Sequence, residues 1–218
     1  MPETLIVNEI YRSIQGEGRH AGRRCAIVRL AGCNLRCAWC DTTYAYDDGR
    51  PMPVADVVAA AVALACPLVM VTGGEPLIQA ATPVLLTALC DAGCEVLIQT
   101  NGSLPIAVLD PRVARCVDVK CPGSGQAGAF LPANAAALRR GDEVNFVCAD
   151  RADYDFTRRV MAEYDLPSRC DVFLTAAAGV LDPADLAAWI VADDALLPGV
   201  RLGLQWHKVL WPDARRGV

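Results

Sequence analysis

The sequence is poor in histidine, in aromatic residues and in positive charge. Its 218 residues include two histidines and 6% aromatic residues, and 20 lysines and arginines are outnumbered by 25 aspartates and glutamates, for a formal net charge of −5. Nowhere do lysine and arginine form a run longer than a pair. A mildly acidic chain of this kind is poorly suited to gripping phosphate backbones, so we expect no nucleic acid partner.

The sequence also lacks a long apolar run and a secretory signal. The longest apolar stretch, Val57 to Val71, is interrupted by Pro67 and is shorter than the roughly 20 residues that a membrane span needs. Residues 1–5 show no basic region followed by an apolar segment. We therefore expect a cytoplasmic protein with no membrane partner. A reducing compartment also fits the 11 cysteines, because an odd number at this density favours metal binding over disulfides.

Short apolar runs alternate with alanine- and leucine-rich helical patterns. The predicted strands are Leu5–Arg12, Cys25–Leu30, Leu68–Val71, Glu95–Gln99, Val117–Val119, Val144–Cys148, Val172–Leu174 and Arg201–Trp206. The predicted helices are Val54–Ala65, Pro83–Ala92, Tyr154–Tyr164 and Pro183–Ala192. This alternation favours an α/β fold with a mostly parallel sheet. We predict a single domain over residues 1–218, a shortened, incomplete (β/α) barrel with about six core strands.

Polar residues recur where the predicted strands end. Taken singly, these are ordinary turn and cap residues. Taken together, they would meet at one mouth of the barrel, because the carboxyl ends of parallel strands lie on the same side. The set comprises Thr72, Gly73, Gly74, Glu75, Gln99, Thr100, Asn101, Asp118, Lys120, Thr175, Gln205 and His207.

Three cysteines, Cys33, Cys37 and Cys40, follow a predicted strand with spacings of three and two residues. Cysteine thiolates are the usual ligands of iron–sulfur clusters, and four are normally used. Three ligands leave one iron open, so this triplet predicts a 4Fe–4S cluster that binds and activates a further molecule. Zinc is the competing metal, but His20 and His207 are the only histidines and no fourth ligand is evident nearby. A purely structural triplet is the remaining alternative.

The other eight cysteines are best interpreted as packing residues, because cysteine is among the most buried residue types. Seven of them adjoin apolar or helical patterns: Cys25, Cys66, Cys90, Cys94, Cys116, Cys148 and Cys170. The eighth, Cys121, follows Lys120 in a predicted loop, and this position is compatible with a thiol exposed to solvent.

The cysteine spacing, with the aromatic Trp39 before the last cysteine, resembles the signature of the radical S-adenosylmethionine (SAM) superfamily. Further motifs narrow this to a resemblance to the 7-carboxy-7-deazaguanine synthase family, from about Glu9 to the end of the chain. The matching segments are Glu9 to Gly18, Arg29 in its strand, Asp41-Thr42, Thr72 to Pro76, Gln99 to Gly102, Asp118 to Lys120 and Gln205 to Lys208.

The resemblance implies a complete activity. Such an enzyme takes 6-carboxy-5,6,7,8-tetrahydropterin, abstracts hydrogen from C6 with an adenosyl radical and contracts the ring. Ammonia is lost and 7-carboxy-7-deazaguanine is formed, in the route to queuosine. SAM acts catalytically, Mg²⁺ assists, an external donor such as a flavodoxin supplies the electron, and the family suggests a homodimer.

The resemblance also implies roles for individual residues. It implies that Cys33, Cys37 and Cys40 are the cluster ligands and the catalytic centre, and that Thr42 is a Mg²⁺ ligand. Contacts to the cluster and SAM are implied for Trp39, Cys40, Asp41, Gly74, Glu75, Thr100, Asn101, Asp118, Val119, Lys120 and Thr175. Contacts to the pterin are implied for Ile14, Gln15, Gly16, Arg29, Thr72, Gln99, His207 and the terminal carboxylate of Val218.

Several alternatives stay open at the level of sequence. Arg29 could form a structural ion pair with Glu75 or Asp41, since a charge inside a barrel needs a partner. Thr42 could belong to a simple turn, and Gln99 stands where some relatives have an acidic residue. The main enzymatic alternative is a radical SAM activase that installs a glycyl radical on a partner protein. An electron carrier or zinc module is the alternative without catalysis.

Overall fold

The computed structural model describes residues 3–213 and 216–217, and within them one sheet of nine strands runs through the fold. The strands are β1 Thr4–Ile14, β2 Arg24–Leu30, β3 Arg50–Pro53, β4 Leu68–Gly73, β5 Glu95–Thr100, β6 Ala114–Asp118, β7 Glu143–Cys148, β8 Asp171–Ala176 and β9 Val200–Gly203. The helices are α1 Val54–Ala63, α2 Thr82–Asp91, α3 Ala133–Ala137, α4 Arg151–Tyr164, α5 Leu166–Arg169, α6 Pro183–Ala192 and α7 Trp206–Leu210.

The sheet is mostly parallel and open. Its order is β3-β1-β2-β4-β5-β6-β7-β8-β9. The pairs from β2 to β9 are parallel, and the two pairs that involve β1 are antiparallel. Because β3 and β9 are edges and do not pair with each other, the prediction of an incomplete barrel is confirmed.

The two faces of the sheet have different roles. Alternate residues of the central strands, such as Val69, Val117 and Val144, pack with the helices in one large apolar core. The intervening residues point to the opposite face. Near the amino ends of β2 and β4 this face is closed by a small apolar cluster of Cys25, Ile27, Leu68, Met70 and Leu97. Further along the strands the same face turns polar and carries the residues of the site.

The structure corrects three predictions about elements. Strand β3 was not predicted, because its two prolines are untypical of strands; it lies at an edge, where proline is tolerated. The predicted strand Arg201–Trp206 ends at Gly203, because the Trp206 N–H donates to the Gly16 carbonyl and begins α7. Strand β6 begins three residues early, at Ala114, because its charged Arg115 is buried against Asp142.

Cys121 is a further correction. It is 1% exposed, and its sulfur lies 3.6 Å from the hydroxyl of Thr157 in α4. The loop after β6 turns back at this point, with the Ser124 N–H donating to the Cys121 carbonyl, and so places the thiol in the core. The other seven non-triplet cysteines are buried or half-buried as predicted.

No helix among the described residues has both the length and the apolarity to cross a membrane.

Candidate active site

A cavity of about 500 Å³ opens at the carboxyl ends of the parallel strands, on the face of the sheet opposite the large apolar core. The cysteine loop after β2, the ends of β4, β5 and β6, the β1–β2 loop and α7 all contribute to its wall. The fold therefore brings most of the predicted residues into one place. Those that line the cavity are Ile14, Gln15, Gly16, Arg29, Cys33, Cys37, Trp39, Cys40, Asp41, Thr42, Thr72, Gly74, Gln99, Thr100, Asn101, Asp118, Lys120 and His207.

The three triplet cysteines are half-buried and face this cavity. Arg36 holds their loop together, because its Nη1 donates to the carbonyls of Cys33 and Leu35 at 2.8 Å each. Its guanidinium also lies 4.1 Å from the centre of the Tyr46 ring. Leu35 anchors the loop in the fold with 8% of its surface exposed.

The donor set fits a 4Fe–4S cluster. Three thiols from one short loop face a common space, and iron–sulfur clusters are held by cysteine thiolates. Within the described ranges no group of three His, Cys, Asp or Glu side chains is arranged to hold a single metal ion. A 4Fe–4S cluster does not require such an arrangement, because each thiolate binds a different iron atom and the three sulfurs need not surround a single metal ion.

Two glycines bring the loop after β4 against the cysteine loop. Gly73 has a φ of +151°, a conformation that residues with side chains rarely adopt. A Cβ on Gly74 would lie 2.0 Å from the carbonyl oxygen of Gly32 and 2.7 Å from the Cβ of Cys33. The Glu75 N–H donates to that same Gly32 carbonyl at 2.8 Å. The two glycines therefore allow the loop after β4 to pack directly on the backbone of β2 and of the cysteine loop, and both line the cavity beside the cysteines.

Glu75 does not reach the cavity wall. Its carboxylate is fully buried and accepts hydrogen bonds from the Thr100 hydroxyl at 2.8 Å, the Asn101 N–H at 2.7 Å and the Leu77 N–H at 3.0 Å. Burial raises the pKa of Glu75. In this structure the carboxylate ties the loop after β4 to the loop after β5, and thereby positions Thr100 and Asn101.

A row of polar side chains crosses the ends of five neighbouring strands. The Thr72 hydroxyl donates to the Gln99 amide oxygen at 3.3 Å, and Gln99 Nε2 donates to Asp118 at 3.3 Å. Asn145 Nδ2 donates to the other Asp118 oxygen at 3.3 Å, and its own oxygen accepts from Thr175 at 2.9 Å. Lys120 Nζ lies 3.5 Å from Asp118. Asp118 is thus oriented from three sides.

Arg29 has a partner other than those considered from sequence. Its Nε lies 2.7 Å from Glu9, and its Nη2 donates to the Tyr11 hydroxyl at 2.7 Å. The Glu9 carboxylate also accepts from the Tyr44 hydroxyl at 2.9 Å. Glu9 faces Arg29 across the β1–β2 register, so the ion pair follows from strand pairing rather than from a loop carboxylate such as Glu75 or Asp41.

The β1–β2 loop and α7 close the cavity together. The Trp206 N–H donates to the Gly16 carbonyl at 2.9 Å, and Gln205 Nε2 donates to Glu17 at 2.8 Å. His207 packs so closely on Gly16 that a Cβ there would lie 2.6 Å from the ring Nδ1.

Asp41, directly after the last cysteine, connects the cysteine loop to α7. It lies 3.5 Å from His207 Nε2 and 3.2 Å from Lys208 Nζ. Although burial opposes the effect, these two partners hold the pKa of Asp41 well below its usual value.

Some predicted residues lie elsewhere, and some wall residues were not predicted. Val119 and Thr175 are buried behind the wall with Glu75, and Val218 lies outside the described residues. Unpredicted wall residues include Tyr11, Glu17, Tyr44, Tyr46, Met70, Asn145 and Lys208. For Asn145 a signal existed, since a polar residue at alternate spacing in an apolar strand faces the opposite side from the core. For Glu17 the Gly-Glu-Gly turn gave no such signal.

The raised pKa of Glu17 predicts how the free energy of unfolding depends on pH. Burial, and then the carboxylate of Asp118, raise the pKa of Glu17 from 4.5 to about 7. Between these values the folded state holds a proton that the unfolded state has lost, so the free energy of unfolding falls as pH rises. The shift corresponds to about 3 kcal/mol, which water in the cavity reduces to roughly 1–2 kcal/mol. We expect Glu17→Gln to remove this part of the slope.

Urea unfolding of the wild-type protein and the Glu17→Gln variant at pH 5, 6, 7 and 8 measures the difference. Glu75 and Glu143 also have raised pKa values, so only the difference between the two proteins reports on Glu17. Parallel curves across this range would contradict the prediction.

Comparison with known proteins places the chain in a family. Residues 27–115 match the model of the radical SAM superfamily. The chain is 42% identical to the 7-carboxy-7-deazaguanine synthase of Koribacter versatilis, over 98% of this chain and 100% of that protein. It is 43% identical to the enzyme of the same name from Chlorobaculum tepidum, over 97% of this chain and 96% of that one. The chain belongs to the 7-carboxy-7-deazaguanine synthase family.

Solved structures agree at the level of the fold. The crystal structure of QueE from Escherichia coli matches with a TM-score of 0.76 and 22% identity, covering 94% of this chain and 95% of that one. Streptococcus suis SuiB bound to its precursor peptide SuiA matches with a TM-score of 0.61 and 14% identity, over 81% of this chain and 47% of that one. Membership of the radical SAM superfamily means that the protein is an enzyme that uses a 4Fe–4S cluster and SAM. The relatives do not favour a glycyl-radical activase.

Proposed function

We propose that this protein converts 6-carboxy-5,6,7,8-tetrahydropterin to 7-carboxy-7-deazaguanine with loss of ammonia, in queuosine and 7-deazapurine biosynthesis. One observation carries the assignment. Residues of the motifs that resemble the family, among them Gln15, Arg29 and His207, lie in the same cavity as the cysteine triplet, in a chain that aligns over 97–98% of its length with two synthases.

Different residues around the cavity would bind the cluster and SAM. Cys33, Cys37 and Cys40 would hold the cluster, and the bare backbone of Gly73 and Gly74 would lie against SAM. When bound, the reduced cluster and SAM supply an adenosyl radical that takes hydrogen from the substrate. Asp118, held in place from three sides, is suited to accept from the ribose hydroxyls of SAM.

The substrate carboxylate would bind at Arg29. The guanidinium Nε donates to Glu9 and its Nη2 donates to the Tyr11 hydroxyl, and both partners belong to strand β1. Pairing with Glu9 holds the side chain in a fixed orientation, and a charge-assisted pair with a second carboxylate adds geometric specificity. Gln15 and Gly16, on the loop covered by α7, would contact the pterin ring from the other side.

Thr42 would serve as a Mg²⁺ ligand. It lies in the cavity wall two residues after Cys40, with its hydroxyl 3.8 Å from the Cys40 sulfur. Magnesium keeps several ligands from substrate and water and needs few from the protein, so a single hydroxyl beside a carboxylated substrate is sufficient.

Other parts of the proposal concern the whole protein. We propose one radical SAM domain over residues 1–218, an external electron donor such as a flavodoxin, and a cytoplasmic location, which the eleven free cysteines support. A homodimer is supported by exposed apolar residues on the edge strand β9, on α7 and on the short segment between them: Leu202, Leu204, Trp206, Val209 and Leu210. Light scattering of the purified protein tests the dimer, and a monomeric mass would contradict it.

The function is tested with the holoenzyme under anaerobic conditions. The reconstituted protein, dithionite, SAM and 6-carboxytetrahydropterin are mixed with and without Mg²⁺, and the products are followed by mass spectrometry. We expect 7-carboxy-7-deazaguanine, and we expect Thr42→Val to remove the stimulation by Mg²⁺ while leaving cluster content unchanged. Formation of 5′-deoxyadenosine without the deazaguanine would retain the radical SAM assignment and refute the substrate.

A further inference from the structure

We propose that Glu143 is a positioning residue that sets the place of the substrate-binding loop Gln15–Glu17, although it lies beneath the cavity and touches no part of it. This inference rests on the proposed function, because it concerns the loop that would hold the pterin.

Glu143 begins β7 on the face of the sheet that carries the site. Asn145 and Val147, at alternate positions of the same strand, line the cavity, whereas Val144 and Phe146 pack with the helices. Glu143 therefore points to the site face one step deeper than Asn145. Only 5% of the residue is exposed.

The Glu143 carboxylate holds the turn of the β1–β2 loop. Its Oε2 accepts from the backbone N–H of Arg19 at 2.8 Å, and its Oε1 accepts from the thiol of Cys116 at 2.8 Å. Gly18 lies directly on the carboxylate: it has a φ of +67°, and a Cβ there would be 2.1 Å from Oε1. The loop is shaped to this carboxylate, because no side chain fits at residue 18.

Arg19, which donates to Glu143, lies close in sequence to the residues that would bind the pterin. Arg19 follows Glu17 by two positions, and the Arg19 side chain is held by Asp171 at 3.7 Å on the next strand. On its other side the loop is held by α7, through Gly16 and Trp206. Loss of the Glu143 contact would remove the hydrogen bond that holds the backbone at the turn of the loop, while the Gly16–Trp206 hydrogen bond and the Arg19–Asp171 pair remain. We expect Gln15, Gly16 and Glu17 then to shift relative to Arg29.

Packing alone does not explain a carboxylate in this position. Burial raises the pKa of Glu143, so the charged form is costly there, although the Arg19 N–H partly offsets the effect. An apolar side chain of similar volume would fill the space without that cost. What it would lack is an acceptor for the Arg19 N–H, and this acceptor is the property we assign to Glu143.

The test compares four variants of the holoenzyme. Glu143→Leu and Glu143→Ala remove the acceptor, and Glu143→Gln keeps a carbonyl oxygen that can accept from Arg19. Asp142→Asn is the matched control, because Asp142 is the neighbouring residue, is 1% exposed and bonds Arg115 and Arg139 rather than the loop. The readouts are KM for the pterin, KM for SAM, kcat, Tm and amide hydrogen exchange over residues 16–22.

We expect Glu143→Leu and Glu143→Ala to raise KM for the pterin roughly tenfold, the effect of one lost charge-assisted hydrogen bond, and to speed exchange over residues 16–22. The KM for SAM should not change in these two variants. Glu143→Gln should have a pterin KM close to that of the wild-type protein. Asp142→Asn should lower Tm without changing the pterin KM. An unchanged pterin KM in folded Glu143→Ala, or an equal rise in Asp142→Asn, would overturn the inference.

The two proposals fail in different ways. A wild-type holoenzyme that forms no deazaguanine refutes the proposed function and says nothing against Glu143. Exchange over residues 16–22 is measured without substrate, so unchanged protection in Glu143→Ala refutes the positioning role whatever the substrate is.

Discussion

Cys37→Ala is expected to lose the cluster and all measurable activity while keeping its fold. Cys37 is half-buried in a loop, faces the cavity and takes no part in the apolar core. Its removal should therefore change the free energy of unfolding by about 1 kcal/mol or less. The hard chemistry belongs to the cofactor, so without the third thiolate we expect product formation to fall ~10³-fold or more. Iron content per chain, electron paramagnetic resonance of the reduced protein and Tm measure these effects separately.

Cys90→Ala is the matched control for this experiment. Cys90 is also half-buried and free, but it lies on α2 with its side chain against the core. We expect this variant to keep the wild-type iron content and activity and to lose some stability. A Cys37→Ala protein that still holds four irons and forms product would refute the assignment of the triplet as cluster ligands.

Gly74→Ala is expected to damage both the fold and the site. The added methyl would lie 2.0 Å from the Gly32 carbonyl oxygen, 2.5 Å from the Gly32 carbonyl carbon and 2.7 Å from the Cβ of Cys33, and the first two are backbone atoms that cannot rotate away. The loop after β4 must then separate from the cysteine loop, at the point where the Glu75 N–H meets Gly32. We expect a loss of about 3–4 kcal/mol in the free energy of unfolding, in the range of severe overpacking.

The functional effect of Gly74→Ala should exceed that of its instability. Moving the Gly73–Gly74 backbone displaces the surface on which SAM would lie, so SAM binding to the folded variant should weaken at least tenfold, by roughly 1.4 kcal/mol. Calorimetric titration of SAM into the reconstituted protein measures this directly.

Gly128→Ala is the comparison for Gly74→Ala, because a Cβ on Gly128 meets no atom within 4 Å. We expect this variant to match the wild-type protein in stability and SAM binding. Equal behaviour of the two alanine variants would show that the close contact at Gly74 is not required.

Much of the sheet could be predicted from apolar runs. Strands β2, β4, β5 and β7 begin and end within two residues of their predicted bounds, because each is a short apolar run bounded by turn residues. The predictions were least accurate where a tertiary contact decides the outcome. The amino half of β6 contains a charged Arg115, which is compatible with a buried strand because Asp142 lies 3.2 Å away and the Ala137 carbonyl accepts from its Nη1 at 3.1 Å.

In the candidate site, too, the features that are local in sequence could be predicted and those that depend on tertiary contacts could not. The cysteine spacing and the glycine pair are local in sequence, and the motif residues after each strand could be placed at one mouth from the fold class alone. Glu75 illustrates what could not be foreseen. Its carboxylate is directed away from the cavity because three donors, Leu77, Thr100 and Asn101, converge on it from two loops.

The sequence by itself determined the triplet of thiols, the alternation of strands and helices and the family. These depend on spacing along the chain, and spacing fixes which ligands one loop can present and which residues share a face. Only the tertiary structure decided how charged groups are partnered: Arg29 with Glu9, Asp41 with His207 and Lys208, and Glu143 with the Arg19 N–H. A charged group pairs with whichever partner the fold brings within reach, and that choice depends on strand register and loop path rather than on residue type.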